Sequence, residues 1–119
     1  MTNKKLKFID LYAGLGGFHQ ALSSLGHQCV WASEYNDNLR SLYQKNFPGT
    51  PIEGDIFKVD IKKIPDHDII CGGFPCQPFS RAGYMKGFND EEKGNHFFRI
   101  LEIIDKRKKK PTYIFLENV

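Results

Sequence analysis

The sequence predicts an α/β fold, a doubly wound parallel sheet, on three observations. Strand-like and helix-like segments alternate from the first residues to the last, the pattern of a parallel sheet wrapped by helices. No linker, internal repeat or low-complexity tract breaks the alternation. A glycine-rich turn joins the first strand to its helix, where such sheets take up ligands.

Lys7-Phe8-Ile9-Asp10-Leu11-Tyr12 reads as the first strand. Phe18, Ala21, Leu22 and Leu25 then recur at i, i+3, i+4 and i+7, one face of a helix that Gly26 can end. Cys29-Val30-Trp31-Ala32 is the second strand. Leu39, Leu42 and Tyr43 line the next helix, which stops before Pro48-Gly49. Pro51-Ile52-Glu53 is a short third strand, and Asp68-Ile69-Ile70-Cys71 a buried fourth. A helix with Phe97, Leu101 and Ile104 on its apolar face leads to a fifth, Thr112-Tyr113-Ile114-Phe115-Leu116. From Gln77 to about Gly94 the chain is polar, with glycines at 83, 87 and 94. Loops beyond roughly 12 to 15 residues in a compact domain are usually functional, so this one reads as a lid.

With 119 residues, 40% hydrophobic and 26% charged, the chain suits one ordinary globular domain. No apolar run approaches the roughly 18 residues that cross a bilayer, and the start carries no signal-peptide core; a cytoplasmic location is expected. Three cysteines with no pair at zinc spacing fit a reducing compartment and no metal. A net charge of +3 is too small to argue for a polyanionic partner by itself. The run Lys106-Arg107-Lys108-Lys109-Lys110 is explained by a helix C-terminus and solvent before any ligand. His19, His27, His67 and His96 have no partners at metal or triad spacing and are expected in surface or capping roles.

The turn Asp10-Leu11-Tyr12-Ala13-Gly14-Leu15-Gly16-Gly17 lets a ligand approach the backbone closely. A dinucleotide fingerprint wants a third glycine at position 19, where His19 stands, and no Gly-Lys-Ser or Gly-Lys-Thr follows for a Walker loop. A nucleoside without phosphates remains. Glu34, at the end of strand two, can accept hydrogen bonds from both ribose hydroxyls, and Tyr35 offers a face for adenine. Gly54-Asp55-Ile56-Phe57 after strand three offers a carboxylate for an exocyclic amine and an apolar wall. Each alone is ordinary turn or capping chemistry. The three strand ends together match S-adenosylmethionine, an adenosine bearing a sulfonium and an amino acid tail.

In Gly73-Phe74-Pro75-Cys76-Gln77-Pro78-Phe79-Ser80 a cysteine directly follows a proline at the end of strand four, a place suited to a nucleophile. Together with the glycine turn and Glu117-Asn118-Val119, this segment resembles the cytosine-5 DNA methyltransferases from about Phe8 to the last residue. The resemblance implies a Rossmann-like S-adenosylmethionine-dependent fold with strands in the order 3-2-1-4-5. Residues 1–119 would be the N-terminal part of its cofactor-binding and catalytic domain, without a target recognition domain. It implies cofactor contacts from Asp10, Tyr12, Ala13, Gly14, Gly16, Gly17, Phe18, Glu34, Tyr35, Asp55, Ile56, Phe57 and Pro75. Cys76 would be the nucleophile and Glu117 the carboxyl group that donates to N3 of cytosine. Gln77, Ser80, Arg81, Gly83, Asn118 and Val119 would face DNA or shape its pocket. Tyr12 stands where many relatives have phenylalanine.

The implied chemistry explains these residue types. Thiolate addition at carbon 6, with a proton at N3, makes carbon 5 electron-rich, and covalent catalysis divides a difficult step. The base must first leave its stack. Such enzymes continue past Glu-Asn-Val, so a complementary C-terminal polypeptide is expected, with little activity from these 119 residues alone. Three other readings stay open: a transfer RNA methyltransferase of the same family, an inactive cofactor-binding remnant, and an NAD-linked oxidoreductase.

Overall fold

A computed structural model describes residues 4–74 and 96–118. The strands are β1 (Lys7–Leu11), β2 (Gln28–Ser33), β3 (Ile52–Glu53), β4 (Ile69–Phe74) and β5 (Tyr113–Asn118). They form one sheet in the order β3-β2-β1-β4-β5, every neighbouring pair parallel, as the resemblance implied. The helices are α1 (Gly17–Ser24), α2 (Asp37–Asn46) and α3 (His96–Asp105), and one 3-10 turn covers Ile61–Lys63.

Alternation along β1 divides the core. Ile9 and Leu11 pack with Trp31, Ile70, Ile100 and Ile103 on the α3 side. Phe8 packs with Cys29, Ile69 and Cys71, which half-buried Phe18 and Leu22 of α1 cover on the opposite side. Burying a side chain the size of Ile100 or Ile103 is worth about 1.5–3 kcal/mol. Asn36 caps α2, its side chain accepting from the Leu39 N–H at 3.0 Å, and Asp37 in the first turn suits the positive end of the helix dipole. Gly26, at φ +94°, ends the α1 segment and donates to the Ser23 carbonyl at 3.0 Å.

The helix faces differ from the sequence expectation. In α1 the buried residue is His19, while Ala21 is exposed and Leu25, beyond the last turn, is 69% exposed. In α3 the fully buried contacts come from Ile100 and Ile103, the expected Phe97 and Ile104 pack against the same core half-buried, and Leu101 is exposed. Of the α2 trio, Tyr43 is fully buried and Leu42 exposed. A helix as apolar as α3 carries more than one plausible stripe, and the sheet selects one.

The histidine expectation is also corrected. His67 and His19 are buried, and burial lowers the pKa of both, keeping the rings neutral. His96 is half-buried and hydrogen-bonded to Tyr12. Only His27 has a cap-like role, its Nδ1 accepting from the Leu6 N–H at 3.1 Å.

Four members of the basic run have partners within the fold. Arg107 is buried and donates to the Ile64 carbonyl and to Asp66 at 2.9 and 2.7 Å. Lys110 caps α3 through the carbonyls of Ile104, Asp105 and Arg107. Lys106 and Lys109 pair with Glu102 and Asp68. Among the described residues no helix is long and apolar enough to cross a membrane.

Candidate active site

The chain leaves β1 through a turn whose geometry is costly. Tyr12 sits at φ +56°, Gly14 at +55° and Gly16 at +85°. Glycine occupies the left-handed region freely, whereas tyrosine does so at a cost of order 1 kcal/mol or more. Gly16 is also fixed by contact, because a Cβ there would stand 2.5 Å from Cε2 of Phe47.

Two strand ends secure the turn. The Ala13 N–H donates to the Ser33 carbonyl at 3.0 Å, and the Gly14 N–H to Oε1 of Glu34 at 2.7 Å. The other Glu34 oxygen accepts from the Asn36 N–H at 2.8 Å. A carboxylate has about four acceptor sites, so Glu34 can brace the turn and still accept from ribose hydroxyls. Beside it Tyr35 is 76% exposed, a free ring face at the carboxyl edge of the sheet. One Asp55 oxygen accepts from the Phe57 N–H at 2.9 Å. Phe57 is partly exposed and available as a wall, but Ile56 is buried in the central core and supports that wall from behind.

Asp10 has a different position from the one expected of a ligand contact. It is buried beneath the turn, where the Tyr43 hydroxyl donates to it at 3.1 Å. His19 Nδ1 lies 2.7 Å from the same hydroxyl, and the His19 ring stacks on Phe47 at 3.7 Å. Tyr43 spends its one proton on Asp10, so His19 donates from Nδ1. Burial raises the Asp10 pKa to about 7, partly opposed by the Tyr43 hydrogen bond, and Glu34 adds to the rise. Asp10 therefore supports the turn from below.

A pocket of about 410 Å³ opens between the turn and the ends of β4 and β5, lined by Tyr12, Ala13, Gly17, Phe18, Ala21, Gly73 and Glu117. Its volume is within the usual range for small-molecule sites. Parallel pairing of β4 with β5 sets Gly73 opposite Glu117, which brings a carboxyl group beside the strand that leads toward Cys76. Pro75, Cys76, Gln77, Ser80, Arg81, Gly83 and Val119 lie outside the described residues, as does the expected lid from Gln77 to Gly94. Asn118 closes β5.

Sequence reasoning missed two residues. Arg99 donates to the carbonyls of Ile56 and Val59 at 2.9 and 2.8 Å, fastening the segment after Asp55 to α3. His96 meets the Tyr12 hydroxyl at 2.8 Å, and its ring lies 5.1 Å from Phe57. Nothing local marks either one; only α3 folding back across the sheet brings them to the site.

The chain matches the family model of the C-5 cytosine-specific DNA methylase over residues 6–119. It belongs to that family. It is 53% identical over 114 residues to the type II methyltransferase M.HhaI of Haemophilus parahaemolyticus, a match covering 96% of this chain and 34% of that protein. It is 46% identical to M.MspI of Moraxella sp, covering 95% of this chain and 26% of the relative. Among solved structures it superposes on Schizosaccharomyces pombe Dnmt2 methyltransferase with TM-score 0.76 at 29% identity, covering 97% of this chain and 36% of the other. The chain thus spans about a third of the length of M.HhaI.

The cofactor of this C-5 methylase family is S-adenosylmethionine, and the site fits it. Glu34 places a carboxylate at the carboxyl edge of the sheet, compatible with ribose hydroxyls, and Glu117 places a carboxyl group on the pocket wall. The turn offers close backbone approach with none of the lysine-bearing phosphate loop that a nucleotide would need. Among the described residues no group of three or more histidine, cysteine or acidic side chains could hold a metal ion.

Proposed function

We propose that these residues carry cofactor binding and covalent activation of the base in a DNA (cytosine-5) methyltransferase of the type II restriction-modification kind. The observation that carries the reading is the β4–β5 pairing, which sets Glu117 opposite Gly73 in the pocket beside the glycine turn. Identity of 53% to a type II methyltransferase supports DNA as the substrate.

When bound, S-adenosylmethionine supplies an electrophilic methyl group. Glu34 holds the ribose, Tyr35 and Phe57 flank the adenine, and Asp55 accepts from its amine. The flipped cytosine enters from the side of β4 and β5. The Cys76 thiolate bonds to carbon 6 while Glu117 gives a proton to N3, so the displaced π electrons gather at carbon 5 as an enamine. Once carbon 5 is methylated, loss of its proton expels the thiolate, and N3 returns its proton to Glu117, which restores the neutral aromatic ring. Gln77, Ser80, Arg81 and Gly83 face the DNA during these steps, and Asn118 and Val119 shape the base pocket.

The test is covalent trapping of DNA containing 5-fluorocytosine in the presence of S-adenosylmethionine, with the chain supplied with the C-terminal portion of a type II relative. Wild type traps and Cys76→Ser does not; a trap that survives this substitution rejects Cys76 as nucleophile. Transfer RNA containing 5-fluorocytidine gives no adduct in the same assay, and preferential trapping of that RNA overturns the DNA assignment.

A further inference from the structure

Tyr12 lines the pocket beside the glycine turn, and His96, 84 positions away in sequence, meets it from the start of α3. The Tyr12 hydroxyl lies 2.8 Å from Nδ1 of His96, with ring centroids 5.2 Å apart in an edge-on arrangement. Phe57 packs against the other partner of this pair, 5.1 Å from the His96 ring. Tyr12 is also the one non-glycine among the described residues at positive φ. A tyrosine held there persists only when its surroundings over-determine it. Phenylalanine at position 12 would fit the same ring and lose the bond.

We propose that Tyr12 and His96 are a positioning pair for the adenosyl cofactor: their hydrogen bond ties the start of α3 to the strained residue that opens the glycine turn, and so holds the Tyr12 and Phe57 rings in a ligand-ready arrangement. This rests on the cofactor reading above. Burial raises the Tyr12 pKa and lowers that of His96, so around neutral pH both are uncharged, the state that makes this bond. Asp55 and Arg99 are the charged neighbours, acting in opposite senses on the Tyr12 phenol. The pair acts by holding the rings in place and takes no part in the methyl transfer.

The test is calorimetry of S-adenosylmethionine binding to the full chain and four variants, each checked for an unchanged far-ultraviolet circular dichroism spectrum. Tyr12→Phe and His96→Leu each weaken binding about fivefold to tenfold, as expected for one neutral hydrogen bond. His96→Asn, which returns an acceptor near the position of Nδ1, recovers most of the affinity. The double variant Tyr12→Phe/His96→Leu binds no more weakly than either single one. Nitrogen chemical shifts of the His96 ring change in Tyr12→Phe before any ligand is added. Tyr12→Phe binding like wild type, or losses that multiply in the double variant, overturns the proposal while leaving the cofactor reading intact. Binding by none of the proteins, wild type included, rejects that reading and this proposal with it.

Discussion

Replacing Asp10 by asparagine should make the protein more stable at pH 8 while changing it much less at pH 5. Asparagine keeps an oxygen for the Tyr43 hydroxyl and cannot ionise. In the wild type, burial lifts the Asp10 pKa from 3.8 to about 7. Between those values the unfolded chain releases a proton that the folded protein keeps, so stability falls as pH rises through the window and levels off above it. At about 1.4 kcal/mol per pH unit the full loss is about 4 kcal/mol, of which about 2.5 kcal/mol accrues between pH 5 and pH 8. His19, His67 and His96 act in the opposite direction: their pKa values are lowered, so they cost stability as pH falls below about 6.5. That slope belongs to both proteins and cancels in the difference. Urea unfolding of the two at both pH values measures it directly. A wild-type and Asp10→Asn gap that stays the same at pH 5 and pH 8 refutes the argument, because Asp10 would then ionise as readily folded as unfolded.

Two further outcomes follow from the same structure. Gly16→Ala, forced to φ +85° with its Cβ 2.5 Å from the Phe47 ring, should cost about 1–3 kcal/mol, whereas Gly17→Ala, with nothing within 4 Å, should be neutral or slightly stabilising. Melting curves separate the two, and equal losses would contradict the packing described under the turn. Arg107→Met should destabilise by about 2–4 kcal/mol by removing the buried cation from Asp66 and the Ile64 carbonyl. Lys108→Met should stay within about 0.5 kcal/mol, and a larger effect on DNA affinity than on stability for Arg107→Met would return the basic run to the DNA surface.

Much of the site was legible because it is local. Glycines that must reach positive φ, an acidic residue closing a strand and a Pro-Cys step are dictated by neighbours in sequence, so Gly14, Gly16 and Glu34 could be read from the chain. Asp10 and Ile56 belonged to the right segments, but which way each side chain turned was set by the layer beneath, Tyr43 for one and the central core for the other. The stripe on α3 was read only in part, with Phe97 and Ile104 on the core but Leu101 exposed, for a related reason. Its residues Phe97, Phe98, Ile100, Leu101, Ile103 and Ile104 satisfy more than one helical face.

The sequence by itself determined the order of elements, the parallel sheet and the chemical identity of the groups at its carboxyl edge, because hydrophobic period and backbone restriction act over a few residues. Only the tertiary structure decided which partners those groups keep. The buried Asp10–Tyr43–His19 chain, the Arg99 clasp and the Tyr12–His96 bond each join elements far apart in sequence, and such contacts exist only after the helices have settled on the sheet. Burial then sets the charge states, since a carboxylate or imidazole changes its proton affinity when water is removed, and no spacing along the chain records how much is removed.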